Sequence, residues 1–188
     1  MLQGLRLSLM HGMAASAAIL LAYLACEGMH EITHLWLSHV LPHMHAVFLP
    51  FGVLVLLGWV YGWLAVPLAV PAALLSLQAI VGVGGMTADL VGATVVKVVS
   101  VPLAFTLFRL SGVHVRGEGR VANWRCVVKV GLLASILGNG TLALFRLWGG
   151  DGLAGTAEVM LMALAADVSG MIAVLLVAML GFRLLRQV

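Results

Sequence analysis

The chain has 188 residues, of which 63% are hydrophobic and 9% charged, and a mean hydropathy of +1.15 excludes a soluble globular domain. The formal charge of +3 does not point to nucleic acid, because the ten Lys and Arg residues are scattered between apolar runs and form no basic patch. What remains is an all-α, polytopic transmembrane bundle, read as a single integral membrane domain over 1–188 in contact with the lipid bilayer.

Taking about 20 apolar residues as enough to cross the hydrocarbon core, about six spans are expected, at 7–26, 46–64, 65–84, 88–110, 126–147 and 158–182. The first ends in "LAYLAC", which loosely resembles a lipoprotein cleavage box. Tyr23 stands where that box has a small aliphatic residue, so 7–26 is read as a retained span. Almost no polar residue separates the second span from the third, and a tight hairpin or a partly re-entrant segment is expected there. Cys26 and Cys126 fall near opposite membrane faces and lack C-x-x-C spacing, so they are read as buried free thiols.

The basic residues choose an orientation. Arg6 precedes the first span, Arg109, Arg116, Arg120 and Arg125 flank the loop after the fourth, and Arg183 and Arg186 end the chain. With six spans these seven share one side, which by the positive-inside rule is the cytoplasm. Both termini are therefore expected in the cytoplasm of a bacterial-type inner membrane, with Arg146 as the one exception. The loop at 112–125 is the only substantial cytoplasmic surface, and it serves as either a topology anchor or a docking site for a protein partner.

Between the first two spans lies "MHEITHLWLSHVLPHMH", which holds five of the seven histidines. On a helix His30 and His34 are one turn apart, and Glu31 between them completes the H-E-x-x-H pattern of zinc hydrolases. An intramembrane metalloprotease would need a distal aspartate, nominally Asp89 or Asp167, and its motif at the cytoplasmic end of a helix rather than the outer one. His39, His43 and His45 widen the reading to a divalent metal or haem. The same stretch also reads as an amphipathic interfacial segment, with Leu35, Trp36, Leu37, Val40 and Leu41 in the headgroup boundary, or as a proton sensor.

Within the spans, Lys97, Asn139 and Asp167 are the polar residues costly to bury, and a charge at such depth needs a partner or a wet cavity. Lys97 and Asp167 are expected to pair or to share a pocket with Asn139. Asp89, at the outer end of its span, is a fourth candidate for that ligand pocket, whereas Lys129 can snorkel to the interface. Pro50, Pro67, Pro71 and Pro102, with "GVGGM" (82–86) and "LGNGT" (137–141), mark helix breaks and close approaches, so the second, third and fifth spans are the expected cavity walls.

Two segments carry a family resemblance. "HAVFLPFGVLVLLGWVYGWLAVPLAVPAALL" (45–75) resembles the early part of membrane-associated sensor (MASE-type) domains, with their "LPxG" turn, apolar span and Pro-rich sequel. "AADVSGMIAVLLVAMLGFRLLRQV" resembles their final span, with Asp167 and Gly170 at the matching positions of a "GD-x-x-G"-like element and Ala166 where Gly is common. The resemblance implies a signal-input domain that binds a ligand, carries no kinase, cyclase or phosphodiesterase module of its own, and reports to a partner. A small-solute or metal-ion transporter or substrate-capturing subunit is the competing class, and the zinc metalloprotease a third. No nucleotide loop, nucleophile triad or inverted repeat is found, so a non-enzymatic role is favoured.

Overall fold

The computed structural model describes residues 2–37, 47–113, 123–150 and 152–185, with side chains from Met10 to Met29 in the first helix and throughout the rest except Val83 and Leu185. These residues form α1 (Leu2–Leu37), α2 (Leu49–Tyr61), α3 (Ala65–Val81), α4 (Ala88–Leu110), α5 (Trp124–Trp148) and α6 (Leu153–Leu185), with no strand among them. Five stretches are long and apolar enough to cross a membrane: Met10–Met29, Leu49–Val81, Ala88–Leu110, Trp124–Trp148 and Leu153–Leu184. A multi-pass membrane protein fits this architecture. The expected second and third spans fall together in Leu49–Val81.

That stretch is folded in two. Pro50 sits in the first turn of α2, where a missing N–H costs nothing. At the other end Gly62 takes φ +58°, a conformation that suits glycine, and its N–H closes on the Gly58 carbonyl. Trp63 then donates from Nε1 to Thr106 Oγ1 at 3.0 Å, near the C-terminal end of α4. From Thr106 back to Ala88 is about 27 Å of helix, while residues 82–87 can span at most about 25 Å. Helix α3 therefore runs back beside α4, and the chain reverses at Gly62–Leu64.

Helix α2 has 13 residues, about 20 Å, against a hydrocarbon core of about 30 Å. It is the central element nonetheless, packing on α1, α3, α4, α5 and α6. Phe51, Val55, Val101, Val127, Val130 and Met171 are wholly buried around it. Small residues allow the close approach: a Cβ on Gly52 would lie 2.7 Å from Val174 Cβ, and one on Gly58 would meet Val101 Cγ1.

One end of the bundle is marked by aromatic rings. Trp59 of α2 packs at a tilt against Trp124 of α5 at 5.7 Å between centroids, and Trp124 likewise against Phe182 of α6 at 6.0 Å. His11 of α1 meets Tyr61 edge-on at 5.9 Å. The C-terminal ends of α2 and α6, the N-terminal end of α5 and the early part of α1 thus share one face, so α1 enters and α6 leaves the bundle at the same end. Interfacial aromatic belts occupy this kind of position.

Both cysteines are free and buried. Cys26 donates from Sγ to the Val47 carbonyl at 3.1 Å, whereas Cys126 lies in the first turn of α5, beside Trp124 at the aromatic end. Reducing and non-reducing gels should give the same mobility, and maleimide labelling of the native protein should be at least tenfold slower than after unfolding. Fast labelling of either thiol in the folded protein would contradict this burial.

Candidate functional site

Asp167, in the middle of α6, has no exposed surface. Its Oδ1 faces the Lys97 ammonium of α4 at 2.8 Å, the one partner of that oxygen among the described residues. Its Oδ2 accepts from Ser135 Oγ and from Asn139 Nδ2, both on α5 and both at 2.8 Å. Asn139 Nδ2 also lies within hydrogen-bond distance of Ser135 Oγ, at 3.1 Å. Three helices thus converge on one carboxylate, and charge-assisted bonds of this kind are the strong ones. The network satisfies groups that would otherwise be costly at membrane depth.

A fourth element completes the site. Lys97 Nζ lies 4.6 Å from the centre of the Phe48 ring and 5.9 Å from that of Phe51, so the ammonium has aromatic faces on its other side. Phe48 is not helical: it precedes α2, and its N–H donates to the Ala166 carbonyl, one residue before Asp167, at 2.9 Å. Lys97 is about 14 Å along α4 from Ala88, and Asp167 about 21 Å along α6 from Leu153. The chain at Val47–Phe48 is therefore non-helical backbone packed near the middle of the apolar helices α4 and α6, which is tolerated where protein covers it.

The covering is provided by partners on α1 and α6. Cys26 takes the Val47 carbonyl, Tyr23 packs edge-on against the Phe48 ring at 5.7 Å, and Gly170 comes so close that any Cβ there would collide with the Phe48 carbonyl. The N-terminal, positive end of α2 thus opens beside the turn of α6 that carries the buried anion, a favourable sign for the helix dipole.

The structure brings together three of the four expected pocket residues, Lys97, Asn139 and Asp167. Asp89 stands apart, exposed in the first turn of α4 behind the Thr87 cap, whose Oγ1 accepts from Leu90 N at 3.3 Å. Ser135 and Phe48 join the site without having been singled out from sequence. No family model, curated protein or solved structure matches the chain. The start of α2 and the middle of α6 meet here, since Phe48 N–H donates to the Ala166 carbonyl and Gly52 is seated close to Gly170 and Val174.

Of the histidines, His30 and His34 lie on the helical backbone of α1, one turn apart, beyond its described side chains; His39, His43 and His45 lie outside the described residues, as does most of the loop at 112–125. Among the described side chains no group of three or more His, Cys, Asp or Glu could hold a metal ion. If "HEITH" binds a metal or haem, elemental analysis and visible absorption of the purified protein should give about one equivalent that is lost in a His30→Ala/His34→Ala double variant. Metal content below a tenth of an equivalent in the wild type would remove that reading.

Proposed function

We propose that the chain is a ligand-sensing membrane domain of a bacterial-type inner membrane, both termini cytoplasmic, in which the Lys97–Asp167–Asn139–Ser135 cluster reads the ligand. The observation that supports this best is the hydrogen bond from Phe48 N to the Ala166 carbonyl, which ties the entry of α2 to the residue beside the buried carboxylate. A ligand that takes over one partner of the ion pair would release or re-aim α2, and α2 touches the five other α-helices. Binding energy spent differently in the two arrangements is what a sensor needs. The resemblance to membrane-associated sensor domains agrees with this reading and implies a separate protein partner for output.

A transporter or substrate-capturing subunit is the alternative favoured by a different observation, the start of α2 at mid-depth, because solute sites in transporters commonly lie where discontinuous helices end. The test is a thermal-stability screen of the detergent-purified protein against amino acids, small carboxylates and small amines. Binding at a hundredfold excess over Kd adds about 2.7 kcal/mol, so a true ligand should raise the wild-type midpoint by several degrees. It should leave a Lys97→Met/Asp167→Leu variant unmoved. A panel without any such compound, or one acting equally on both proteins, would refute the site. Uptake of the compound into proteoliposomes would decide for transport.

A further inference from the structure

A half-open cleft lies away from the buried ion pair, at the aromatic end of the bundle. It holds about 440 Å³ between the C-terminal halves of α2 and α4, with Trp59, Trp63, Phe105, Thr106 and Arg109 among its walls. That volume is within the range of small-ligand sites, about 300–1,000 Å³. The Trp63–Thr106 hydrogen bond pins one wall to the other, so the cleft is braced where the two helices diverge.

Its chemistry is one cation set in an aromatic and aliphatic cleft. Arg109 is in the last turn of α4, exposed, and has no carboxylate partner among the described residues. The guanidinium fork matches phosphate oxygens in a bidentate way, and its stem lies along apolar surface without penalty. Trp63, half exposed at the mouth of the cleft, and the Phe105 ring inside it are large and apolar, so an acyl chain leaving the cleft would meet hydrocarbon-compatible surface. A soluble anion would use the arginine and leave the aromatic walls idle; a lipid uses both. Basic pockets between helices at the membrane boundary bind anionic headgroups on these grounds.

We infer that this cleft binds an anionic phospholipid, its phosphate on Arg109 and its upper chain between α2 and α4. The site is independent of the ligand-sensing reading, since it shares no residue with the ion-pair cluster. Because α2 joins the two, a lipid held at its C-terminal end restrains the element whose entry sits beside Asp167.

The experiment is native mass spectrometry of the full chain, released from detergent with equal amounts of phosphatidylglycerol and phosphatidylcholine of identical chains. The wild type should retain phosphatidylglycerol at least fivefold over phosphatidylcholine. Arg109→Gln should lower that ratio to about one, while Arg183→Gln, which removes an exposed arginine from the last turn of α6, should preserve it. Arg109→Lys keeps the charge and provides a second readout should the glutamine variant fold poorly, with the ratio expected to fall two- to threefold. A wild-type ratio near one, an equal fall in Arg183→Gln, or an unchanged ratio in both Arg109 variants would overturn the proposal. Displacement of the retained lipid by millimolar glycerol 3-phosphate would overturn it too, by making the ligand a soluble phosphate.

Discussion

Asp167→Asn is expected to destabilise the purified protein by on the order of 3 kcal/mol, the scale of a buried pair that loses one charged partner. Asp89→Asn, in an exposed first turn, should shift stability by less than about 0.5 kcal/mol. The amide is nearly isosteric, so the cost is electrostatic. It leaves the Lys97 ammonium without its counter-charge, and an NH2 group in the place of Oδ2 would meet Asn139 Nδ2 donor to donor, so the Ser135 hydroxyl and the Asn139 amide must both reorient. Thermal midpoints in detergent, compared with unfolding in a graded denaturing detergent, would measure the difference. Equal tolerance of Asp167→Asn and Asp89→Asn would refute the buried-pair argument.

The double variant Lys97→Met/Asp167→Leu carries the stronger form of the prediction. Replacing both partners of a buried pair by apolar groups is often neutral, whereas removing one is not. Here Ser135 and Asn139 can still bond each other at 3.1 Å after the carboxylate is gone. The double variant should therefore be more stable than Asp167→Leu alone, with a coupling of about 1–3 kcal/mol in a double-mutant cycle. Simple addition of the two single effects would mean that the 2.8 Å contact carries no net energy. A stable but ligand-insensitive double variant would also supply the reagent required by the screen described above.

How much of this was legible in the sequence depends on whether a residue's role carries a cost. Lys97, Asn139 and Asp167 stand out because a charge or amide in an apolar run must be compensated, and the structure joins them. Ser135 gives no such signal. Serines and threonines in apolar helices ordinarily bond their own backbone, as Ser76, Thr94, Thr106 and Thr141 do here, and nothing local distinguishes Ser135 from them. Its spacing of one turn before Asn139 was the available hint. The expected second span, 46–64, was read from hydropathy alone. The helix is shorter because Pro50 belongs to a first turn and Gly62 to a break, and apolarity does not report where a helix begins. Helix α1 runs on past the expected span at 7–26 to Leu37, through the histidine pair, since no proline interrupts it, while its apolar stretch is Met10–Met29. Apolar composition thus locates bilayer-compatible segments. Whether each is crossed by one straight helix depends on tertiary contacts such as Cys26 with Val47 and Phe48 with Ala166.

Gly170→Ala should be the most damaging single-methyl change in the molecule. A Cβ at that position would collide with the carbonyl group of Phe48 and crowd Leu49 N, and these are backbone atoms rather than the end of a flexible side chain. Phe48 cannot retreat freely, because its N–H is held by Ala166 and its ring lies between Tyr23 and Lys97. Overpacking usually costs about 1–3 kcal/mol. Here relief would require the entry of α2 to move off α6, breaking the Phe48–Ala166 bond at a depth where no water can replace it. A loss of more than about 3 kcal/mol, or failure to accumulate in the membrane, is the expected result. The control lies on the same helix: Gly155 and Gly181 have open space at the Cβ position, and alanine there should be neutral or stabilising by about 0.5–1 kcal/mol through helix propensity. The comparison separates helix preference from packing, because all three glycines sit in α6 and only one faces another backbone. If Gly170→Ala behaves like Gly155→Ala, the close seating of Phe48 on α6 is refuted, and with it the mechanical link between the buried carboxylate and the central helix.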